Sequence, residues 1–417
     1  MSQEVAIIGA GLSGLSFALA LHQQSIPCTI YESRPDAPLN IGGAVMLSPN
    51  ALRILDRLGV YDVMRTRGYN FTKLEYRNVA STSGPEDTGV VTETQEFGGA
   101  EKYQYDGLRI YRTQIIDTLL AVLAEKGISI RYGHKFTKVI EETAEGVTWE
   151  WADGTTGTAA VLVGADGIHS TVRKYLYPDL KTTFTGMAGI TAAVPTAQLE
   201  APADLHMPVT FILPGKGAFV IAPQGIDGSE ILIGKQRRIG ENDLTREEWA
   251  TFISDKEGQA KFLQSDNEGF PDLVHRAAAK ISHDRINVWP FYIVPKLDTW
   301  SSPKHQRVVI LGDAAHAIPP SAGQGINQAF EDIYTLALLL GGAQRREKKD
   351  PALVQEALKF WQSHRQSRVD QVLELNKQID LRRVPGGEDV ERKEFDLAWL
   401  YTLDPDQVVQ EWLDARR

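Results

Sequence analysis

The residues with the clearest chemical use lie in the last third of the chain. Asp313 comes directly after an apolar run, and its carboxylate could accept hydrogen bonds from the hydroxyl groups of a polyol. Pro319 and Pro320 then stiffen the loop, and Gly323 and Gly325 leave the first amides of the next helix uncovered. Because a helix N-terminus carries about half a positive charge, those amides would stabilise an anion. The segment therefore predicts a site for a polyol and an anion.

A second phosphate-binding pattern opens the chain. Gly9, Gly11 and Gly14 form a GxGxxG sequence between an apolar run and a helical pattern, and Glu32 follows the second predicted strand. In this context the glycines permit a tight turn, close approach of a pyrophosphate and helix packing, while the acid binds ribose hydroxyls. NAD and FAD both satisfy this pattern. The sequence contains no second fingerprint and no redox dithiol, so together with the polyol site it favours FAD.

Two further stretches carry groups suited to a dinucleotide. Asp166 ends a predicted strand, Gly167 allows a tight turn and Arg173 lies one helical turn beyond it. Arg112 opens a helix predicted over 113–126, and its guanidinium suits phosphate and polyol oxygens. A solvated arginine at a helix start is the alternative interpretation of Arg112.

The three motifs at 9–32, 164–173 and 312–332 together resemble the single-component (group A) FAD-dependent aromatic monooxygenases, the para-hydroxybenzoate and salicylate hydroxylase family, and most of all its salicylate-hydroxylase-like fungal members. The resemblance implies an α/β fold with a Rossmann-like FAD-binding domain, an inserted large-sheet substrate domain and a long C-terminal helix. It also implies that FAD is bound non-covalently by Gly9, Gly11, Leu12, Ser13, Gly14, Glu32, Gly43, Ala44, Val45, Arg112, Asp166, Gly312, Asp313, Gly323, Gly325 and Ile326.

In that family the flavin performs the oxidation. The resemblance implies that NADPH or NADH, bound transiently, reduces the flavin, that O2 adds at C4a, and that the hydroperoxide hydroxylates or epoxidises an electron-rich substrate. Two alternatives stay open: a flavin reductase or dehydrogenase acting on an isoprenoid or polyketide, and a non-catalytic flavin redox sensor. The sequence identifies no certain catalytic acid or base, and no cluster of its His, Asp and Glu residues has metal-ligand spacing.

The sequence departs from the family at the substrate site. Many members that act on phenolates carry an Arg five residues after the glycine matching Gly186, and a Tyr just before the proline matching Pro223. Thr191 and Ala222 occupy those positions here. Because a buried phenolate without a cation is costly, this difference predicts a bulky, largely neutral aromatic or polycyclic natural product.

Candidate pocket residues are aromatic or polar side chains on strands of the predicted substrate sheet or in the Pro-Pro loop. They are His206, Phe211, Phe219, Tyr292 and Pro320, and packing in the core is an equally acceptable role for the first four.

The predicted domain division has three parts. Residues 1–77, 103–180 and 283–345 form the FAD-binding domain, residues 78–102 and 181–282 form the substrate domain, and residues 346–417 form a C-terminal helical segment. Within these parts we expect a loop over 80–100, a three-stranded meander at 136–140, 147–151 and 158–163, and a long amphipathic helix over 352–379.

The composition of the chain limits the class of protein and its possible partners. With 42% hydrophobic and 24% charged residues the chain has an ordinary soluble balance, and a net charge of −10 argues against non-specific nucleic-acid binding. The one cysteine, Cys28, is expected to be a packed core thiol. The sequence shows no signal-peptide pattern and no transmembrane-length apolar run. We therefore expect a cytoplasmic monomer or homodimer whose partners are a small-molecule substrate, O2 and NAD(P)H.

Overall fold

The computed structural model of the protein describes residues 4–37, 43–79, 88–240, 242–345, 351–383 and 396–416. Its strands are β1 (Val5–Ile8), β2 (Cys28–Tyr31), β3 (Ala44–Leu47), β4 (Tyr69–Phe71), β5 (Lys73–Asn78), β6 (Val90–Glu96), β7 (Gly107–Tyr111), β8 (Ile130–Arg131), β9 (Phe136–Glu142), β10 (Val147–Trp151), β11 (Thr156–Ala159), β12 (Val161–Gly164), β13 (Thr183–Pro195), β14 (Val209–Leu213), β15 (Gly217–Gln224), β16 (Glu230–Arg238), β17 (Ile286–Ile293) and β18 (Val308–Ile310). Its helices are α1 (Leu12–Gln23), α2 (Pro49–Arg57), α3 (Tyr61–Met64), α4 (Ala100–Tyr103), α5 (Arg112–Glu125), α6 (Arg173–Leu176), α7 (Arg246–Ser254), α8 (Lys256–Gln264), α9 (Asp272–Ala279), α10 (Asp313–His316), α11 (Gly325–Gln344), α12 (Pro351–Arg383), α13 (Ala398–Tyr401) and α14 (Pro405–Asp414).

The first layer is a five-stranded parallel sheet with the strand order β18-β12-β1-β2-β8. Every residue of β1 is buried, as expected for a parallel strand that packs on both faces. Parallel strands end at the same edge of a sheet, so Gly9, Glu32, Asp166 and Gly312 all follow strands on one side of it. The predicted Rossmann-like α/β fold is confirmed.

The second layer is a seven-stranded sheet with the order β17-β13-β16-β15-β14-β5-β6. Alternate residues of its central strands, such as Ile190, Phe211 and Ile233, pack against α8 and α9 in a core of their own. We call this face the helix side. Strands β13 to β17 correspond to the five apolar or alternating runs that the sequence predicts to form one large sheet, at 184–194, 209–213, 218–223, 231–236 and 286–294.

The prediction of a loop over 80–100 is wrong for its second half. Residues Val90–Glu96 form β6, which pairs antiparallel with β5, and its partly exposed, polar-rich pattern suits the edge of a sheet. Residues 80–87 lie outside the described residues. Strands β5 and β17 also belong to the large sheet, although the predicted division placed residues up to 77 and from 283 in the FAD-binding domain. The division into domains is otherwise still a prediction.

Two smaller sheets complete the β-structure. The predicted meander forms from β9, β10 and β11, but its third run is divided: Thr156–Ala159 pairs with β10, whereas Val161–Gly164 joins the parallel sheet. The other small sheet has the order β3-β7-β4. Leu108 and Ile110 of β7 pack into the core of the parallel-sheet domain, so the alternate residues of β7 point the other way, towards the large sheet.

The long C-terminal helix predicted over 352–379 is present as α12, and it packs along α11. Trp361 is fully buried there, and its indole N–H donates to the carbonyl of Asp332 at 3.0 Å. In the described parts of the chain, none of the helices has the length and apolar character needed to cross a membrane.

Candidate active site

The glycine turn after β1 has the geometry that a pyrophosphate requires. Gly9 has φ = 109°, and a Cβ there would lie 2.6 Å from the carbonyl oxygen of Ala165. A Cβ on Gly14 would lie 2.0 Å from the carbonyl oxygen of Gly9, so the helix can approach the turn only with glycine at this position. Gly11 borders open space, with no atom within 4 Å of an added Cβ. The turn therefore leaves its outer side free for a ligand.

Glu32 is 5% exposed, and its Oε2 accepts a hydrogen bond from the amide of Ala10 at 2.9 Å. Its Oε1 accepts from both the backbone and the side chain of Arg34. Burial alone would raise the pKa of Glu32, but these hydrogen bonds outweigh it and lower that pKa. The acid thus stays ionised beside the glycine turn, where it also fixes the turn.

Arg112 and Asp313 face each other across the edge of the parallel sheet. Both side chains are exposed. Protein nevertheless surrounds the Arg112 guanidinium enough to lower its pKa, and the negative charge of Asp313 opposes that effect. Within the described ranges Arg112 has no hydrogen-bond partner. The structure thus brings a free cation and a free carboxylate to the place where the sequence predicts phosphate and polyol contacts.

The start of α11 is held against β3 by a side chain to which the sequence assigned no role. Asn327 accepts a hydrogen bond from the amide of Ser48 at 3.0 Å and donates to the carbonyls of Met46 at 3.1 Å and Gly323 at 2.7 Å. Gly323 has φ = 63°, a conformation that favours glycine. Local sequence could not reveal this role, since Ser48 and Met46 lie 279 and 281 residues away from Asn327.

Ala44 and Val45 lie on β3, which pairs with β7 next to Arg112. An added Cβ on Gly43 would lie 3.9 Å from Leu232 of the large sheet, so this segment runs between the two layers. Ile41 and Gly42, part of the same predicted glycine-rich stretch, lie outside the described residues.

Asp166 has one oxygen engaged and one unsatisfied. Its Oδ2 accepts from the amides of Thr171 at 2.7 Å and Val172 at 3.1 Å, while its buried Oδ1 has no partner among the described residues. Burial raises the pKa of Asp166. Arg173 ties this loop to α10 by donating to the carbonyl of Ala314 at 2.9 Å.

These features fit a bound FAD on grounds of chemistry and space. The glycine positions provide room, Arg112 provides an unpaired cation, and Asp166 Oδ1 provides a buried acceptor that needs a donor. Leu12, Ser13, Gly312, Gly325 and Ile326 lie on the same loops and helix starts. Among the described residues no cluster of His, Cys, Asp or Glu has the arrangement of a metal site.

The face of the large sheet opposite to the helix side looks towards these loops, because it carries Leu232 next to Gly43. We call it the cofactor side. Thr191 and Ala222 both lie on it, since they alternate with Ile190 and Ile221 of the helix-side core and pair with Gly234 and Leu232. The hydroxyl of Thr191 is buried and has no partner in the described structure.

Two aromatic residues of the cofactor side were not among the predicted pocket residues. Trp289 and Phe291 both pack over Gly189, with ring atoms 3.1 Å from the position of an added Cβ. Trp289 is 39% exposed. In the sequence, Trp289 and Phe291 alternate with Pro290 and Tyr292. This alternation would have identified Trp289 and Phe291 as a pair once the face of the strand was known.

Several predicted pocket residues lie elsewhere. Phe211 and Phe219 are fully buried in the helix-side core, so the pocket prediction is wrong for both. Tyr292 contacts Phe184 and His169, which lies in the loop after β12, and it donates a hydrogen bond to Asp243 at 2.7 Å.

The remaining two pocket candidates have different surroundings. His206 Nε2 hydrogen-bonds the carbonyl of Lys73 at 3.0 Å, a structural contact between two neighbouring chain segments. Pro320 is exposed and opens the short turn that precedes Gly323.

A buried ionic cluster lies behind the Asp313 loop. Asp332 Oδ2 accepts from the amide of Gly312 at 3.0 Å and from His316 Nε2 at 2.5 Å, and its Oδ1 accepts from Arg365 Nε at 2.8 Å. Glu331 accepts from both Arg365 and Arg368 of α12. Burial would raise the pKa of Glu331, but the charges of the two arginines outweigh it and hold that pKa at about 2. The cluster connects α12 to the cofactor loop.

An open groove of about 750 Å³ lies outside the candidate site. It is lined by Val194, Gln264, Lys280 and Arg285, among others, at one end of the large sheet beside α8. None of the residues that line it is a predicted cofactor residue.

The chain is similar in sequence to known proteins. Residues 2–375 match a family model described as an FAD binding domain. The 3-amino-4-hydroxybenzoate 2-monooxygenase PtmB3 of Streptomyces platensis is 31% identical over 340 residues, which cover 81% of this chain and 80% of that protein.

Solved structures agree on the fold. The structure of Klebsiella pneumoniae HpxO with FAD and uric acid has a TM-score of 0.73 at 23% identity, covering 99% of this chain and 96% of that one. A salicylate hydroxylase substrate complex has a TM-score of 0.76 at 24% identity, covering 98% and 97%. The shared fold extends over nearly the whole of each chain.

Proposed function

Because the chain belongs to the FAD binding domain family, we propose that it inserts one oxygen atom from O2 into a bulky, largely neutral aromatic or polycyclic compound. FAD is its cofactor, and the protein is an oxidoreductase of the FAD-dependent aromatic monooxygenase class. The observation that carries the substrate proposal is the cofactor side of the large sheet, which presents the uncharged residues Thr191, Ala222 and Leu232 towards the Gly43 loop.

We propose that the predicted residues hold FAD in three places. The turn at Gly9 and Gly11 binds the pyrophosphate with its amides, and Glu32 binds ribose hydroxyls. Arg112 and Asp313 would bind the phosphate and the polyol chain. The first-turn amides of α11 would stabilise negative charge on the flavin ring, since the helix dipole is positive there.

When bound, FAD supplies the redox and oxygen-transfer chemistry. The protein's own task is to hold the acceptor carbon near the ring and to exclude water. Trp289 and Phe291 suit the first task because flat aromatic surfaces pack well against one another. The absence of charge at Thr191 and Ala222 suits an acceptor ring that is positioned by shape and apolar contact. No acid or base is required for this role.

The electron donor, the assembly and the location follow the family pattern and the composition. We propose that NADPH or NADH reduces the enzyme during a transient encounter, and that the protein works in the cytoplasm as a monomer or homodimer. The net charge of −10 supports a small-molecule role over nucleic-acid binding.

The test is to measure NAD(P)H oxidation, O2 consumption and hydrogen peroxide release together, with larger neutral aromatics and small ionised phenols as candidates. We expect a productive substrate to accelerate flavin reduction and to give product in a one-to-one ratio with NAD(P)H. Efficient, coupled hydroxylation of only the small ionised phenols would refute the substrate proposal. If every ligand that accelerates flavin reduction gave no oxygenated product, that result would refute the monooxygenase activity itself and favour a reductase.

A further inference from the structure

Arg109 is a buried cation without an acidic partner. It lies on β7 and is 5% exposed. Its Nη2 donates to the side-chain oxygen of Gln224 at 3.3 Å, and its buried Nε has no hydrogen-bond partner among the described residues. No carboxylate in the described ranges lies within ion-pair distance of it. Burying a guanidinium in this way is costly unless something else supplies the missing negative charge.

The carboxylate in the hydrogen-bond network around Arg109 and Gln224 is already neutralised. Glu230 forms an ion pair with Arg285 and accepts a hydrogen bond from Tyr111. Gln224 joins the two parts, since its amide donates to the Tyr111 hydroxyl at 2.7 Å while its oxygen accepts from Arg109. Every acidic group of the network is therefore engaged elsewhere, and the positive charge of Arg109 is left uncompensated. Burial lowers the pKa of Arg109 to about 10, which still leaves it charged at neutral pH.

Arg109 also connects the small sheet to the cofactor side of the large sheet. Its strand neighbour is Met46 on β3, whose carbonyl is bound by Asn327 at the start of α11. Gln224 belongs to the cofactor side of the large sheet, two residues from Ala222 along β15. The guanidinium of Arg109 is thus located between the cofactor side of the large sheet and the start of α11.

We infer that Arg109 and Gln224 form the binding site for one anionic oxygen of the substrate, a carboxylate or an acidic enol or phenol. The inference rests on the proposed function and narrows it: most of the ring system contacts the neutral surface around Thr191, and one ionised group is placed on Arg109. Its free Nε–H and its Nη groups can bind a carboxylate through two parallel hydrogen bonds. The cation missing at positions 191 and 222 is supplied from β7 instead.

The test uses two bulky probes that differ only in charge, 2-naphthoate and 2-naphthamide. Their Kd values are measured from the change in flavin absorbance of the FAD-loaded enzyme at pH 7.5. We expect wild type to bind naphthoate at least tenfold more tightly than naphthamide. Arg109→Gln should lose tenfold or more in naphthoate affinity while its naphthamide affinity stays within twofold of wild type.

The matched control is Arg237→Gln, which removes the same charge from the helix side of the large sheet, where Arg237 stacks over Phe252 and Phe262. It should leave both affinities unchanged. A wild-type enzyme without preference for naphthoate, or an Arg109→Gln enzyme that keeps the preference, would overturn the inference.

A second variant covers the case in which Arg109→Gln does not yield FAD-loaded protein. Arg109→Lys keeps the charge but loses the paired N–H groups, so naphthoate affinity should fall threefold or more with naphthamide unaffected. Equal naphthoate affinity in Arg109→Lys and wild type would overturn the inference. The binding test needs no turnover, so an enzyme that binds naphthoate through Arg109 but oxidises no aromatic would refute the proposed function alone.

Discussion

Replacing Arg365 with methionine should destabilise the protein strongly and loosen its hold on FAD. The side chain is fully buried, and it neutralises Glu331 and Asp332 at the same time. Methionine keeps an apolar stem at this position but carries no charge, so both carboxylates lose that partner. Arg368 still pairs with Glu331 and His316 still pairs with Asp332, so each carboxylate keeps one partner.

The magnitude follows from the cost of stranding a buried charge, which is about 3–5 kcal/mol when one partner of a buried pair is removed. The pKa of Glu331 sets an upper figure for the contribution of that carboxylate. A folded pKa of about 2 against a usual value near 4.5 corresponds to about 3 kcal/mol of stability, which Arg365 shares with Arg368 and Asn50. Because that pKa is depressed in the folded state, this stability is present above about pH 4.5 and is lost as the pH falls towards 2. Without Arg365 the pKa of Glu331 rises, so acid unfolding should begin at a higher pH.

The assay is chemical denaturation of the FAD-loaded protein at pH 7 and at pH 5, followed by measurement of the FAD Kd. Asp332 binds the amide of Gly312 directly, so a displaced Asp332 should move the Asp313 loop and raise that Kd. Lys296→Met is the matched control, since Lys296 pairs with Asp370 of the same helix at 2.8 Å but both groups are largely exposed. An exposed pair contributes about 0–1 kcal/mol.

Two results would refute this reasoning. The first is an Arg365→Met protein within about 1 kcal/mol of wild type, because the stranded carboxylates would then have relaxed at little cost. The second is a large loss of stability with no change in FAD affinity, which would show that the cluster supports α12 without acting on the cofactor loop.

Four further predictions concern single residues. Asp313→Ala should weaken FAD binding by on the order of 1.5–3 kcal/mol because the polyol loses a charged acceptor, and an unchanged Kd would remove Asp313 from the site. Glu32→Ala should raise the FAD Kd but leave turnover at saturating FAD unaltered, and lost turnover with FAD fully bound would contradict this remote role. Thr191→Arg should reduce the ratio of product to NAD(P)H consumed, since it introduces a desolvated charge on the neutral cofactor side. An unchanged ratio would contradict the proposal that this side is apolar and binds the substrate. Burial raises the pKa of the Cys28 thiol to about 12, so Cys28 should resist alkylation at pH 8 until the protein is denatured. Mass spectrometry that finds the folded protein alkylated at pH 8 would contradict this prediction.

The sequence alone determined the cofactor half of the fold. Glycines at positions 9, 14 and 323 are required by local geometry, either a positive φ or a contact that excludes a Cβ, and such requirements are visible in a few neighbouring residues. The apolar runs before Gly9, Glu32, Asp166 and Asp313 are equally local, and parallel strands bring their ends to one edge by a general rule. For this reason the dinucleotide site could be predicted without coordinates.

The tertiary structure alone decided which residues face the substrate. In the seven-stranded sheet, apolar side chains of the cofactor side such as Ala222 and Trp289 alternate with those of the helix-side core, so the sequence pattern does not distinguish the two faces. Phe211 and Trp289 are equally good pocket residues by type, yet the first packs against helices and the second faces the cofactor side. The charge on Arg109 is a similar case. In sequence it lies in an ordinary strand, and only the approach of Gln224, 115 residues later, shows that it is buried without a carboxylate, because burial and pairing are properties of contacts between distant segments.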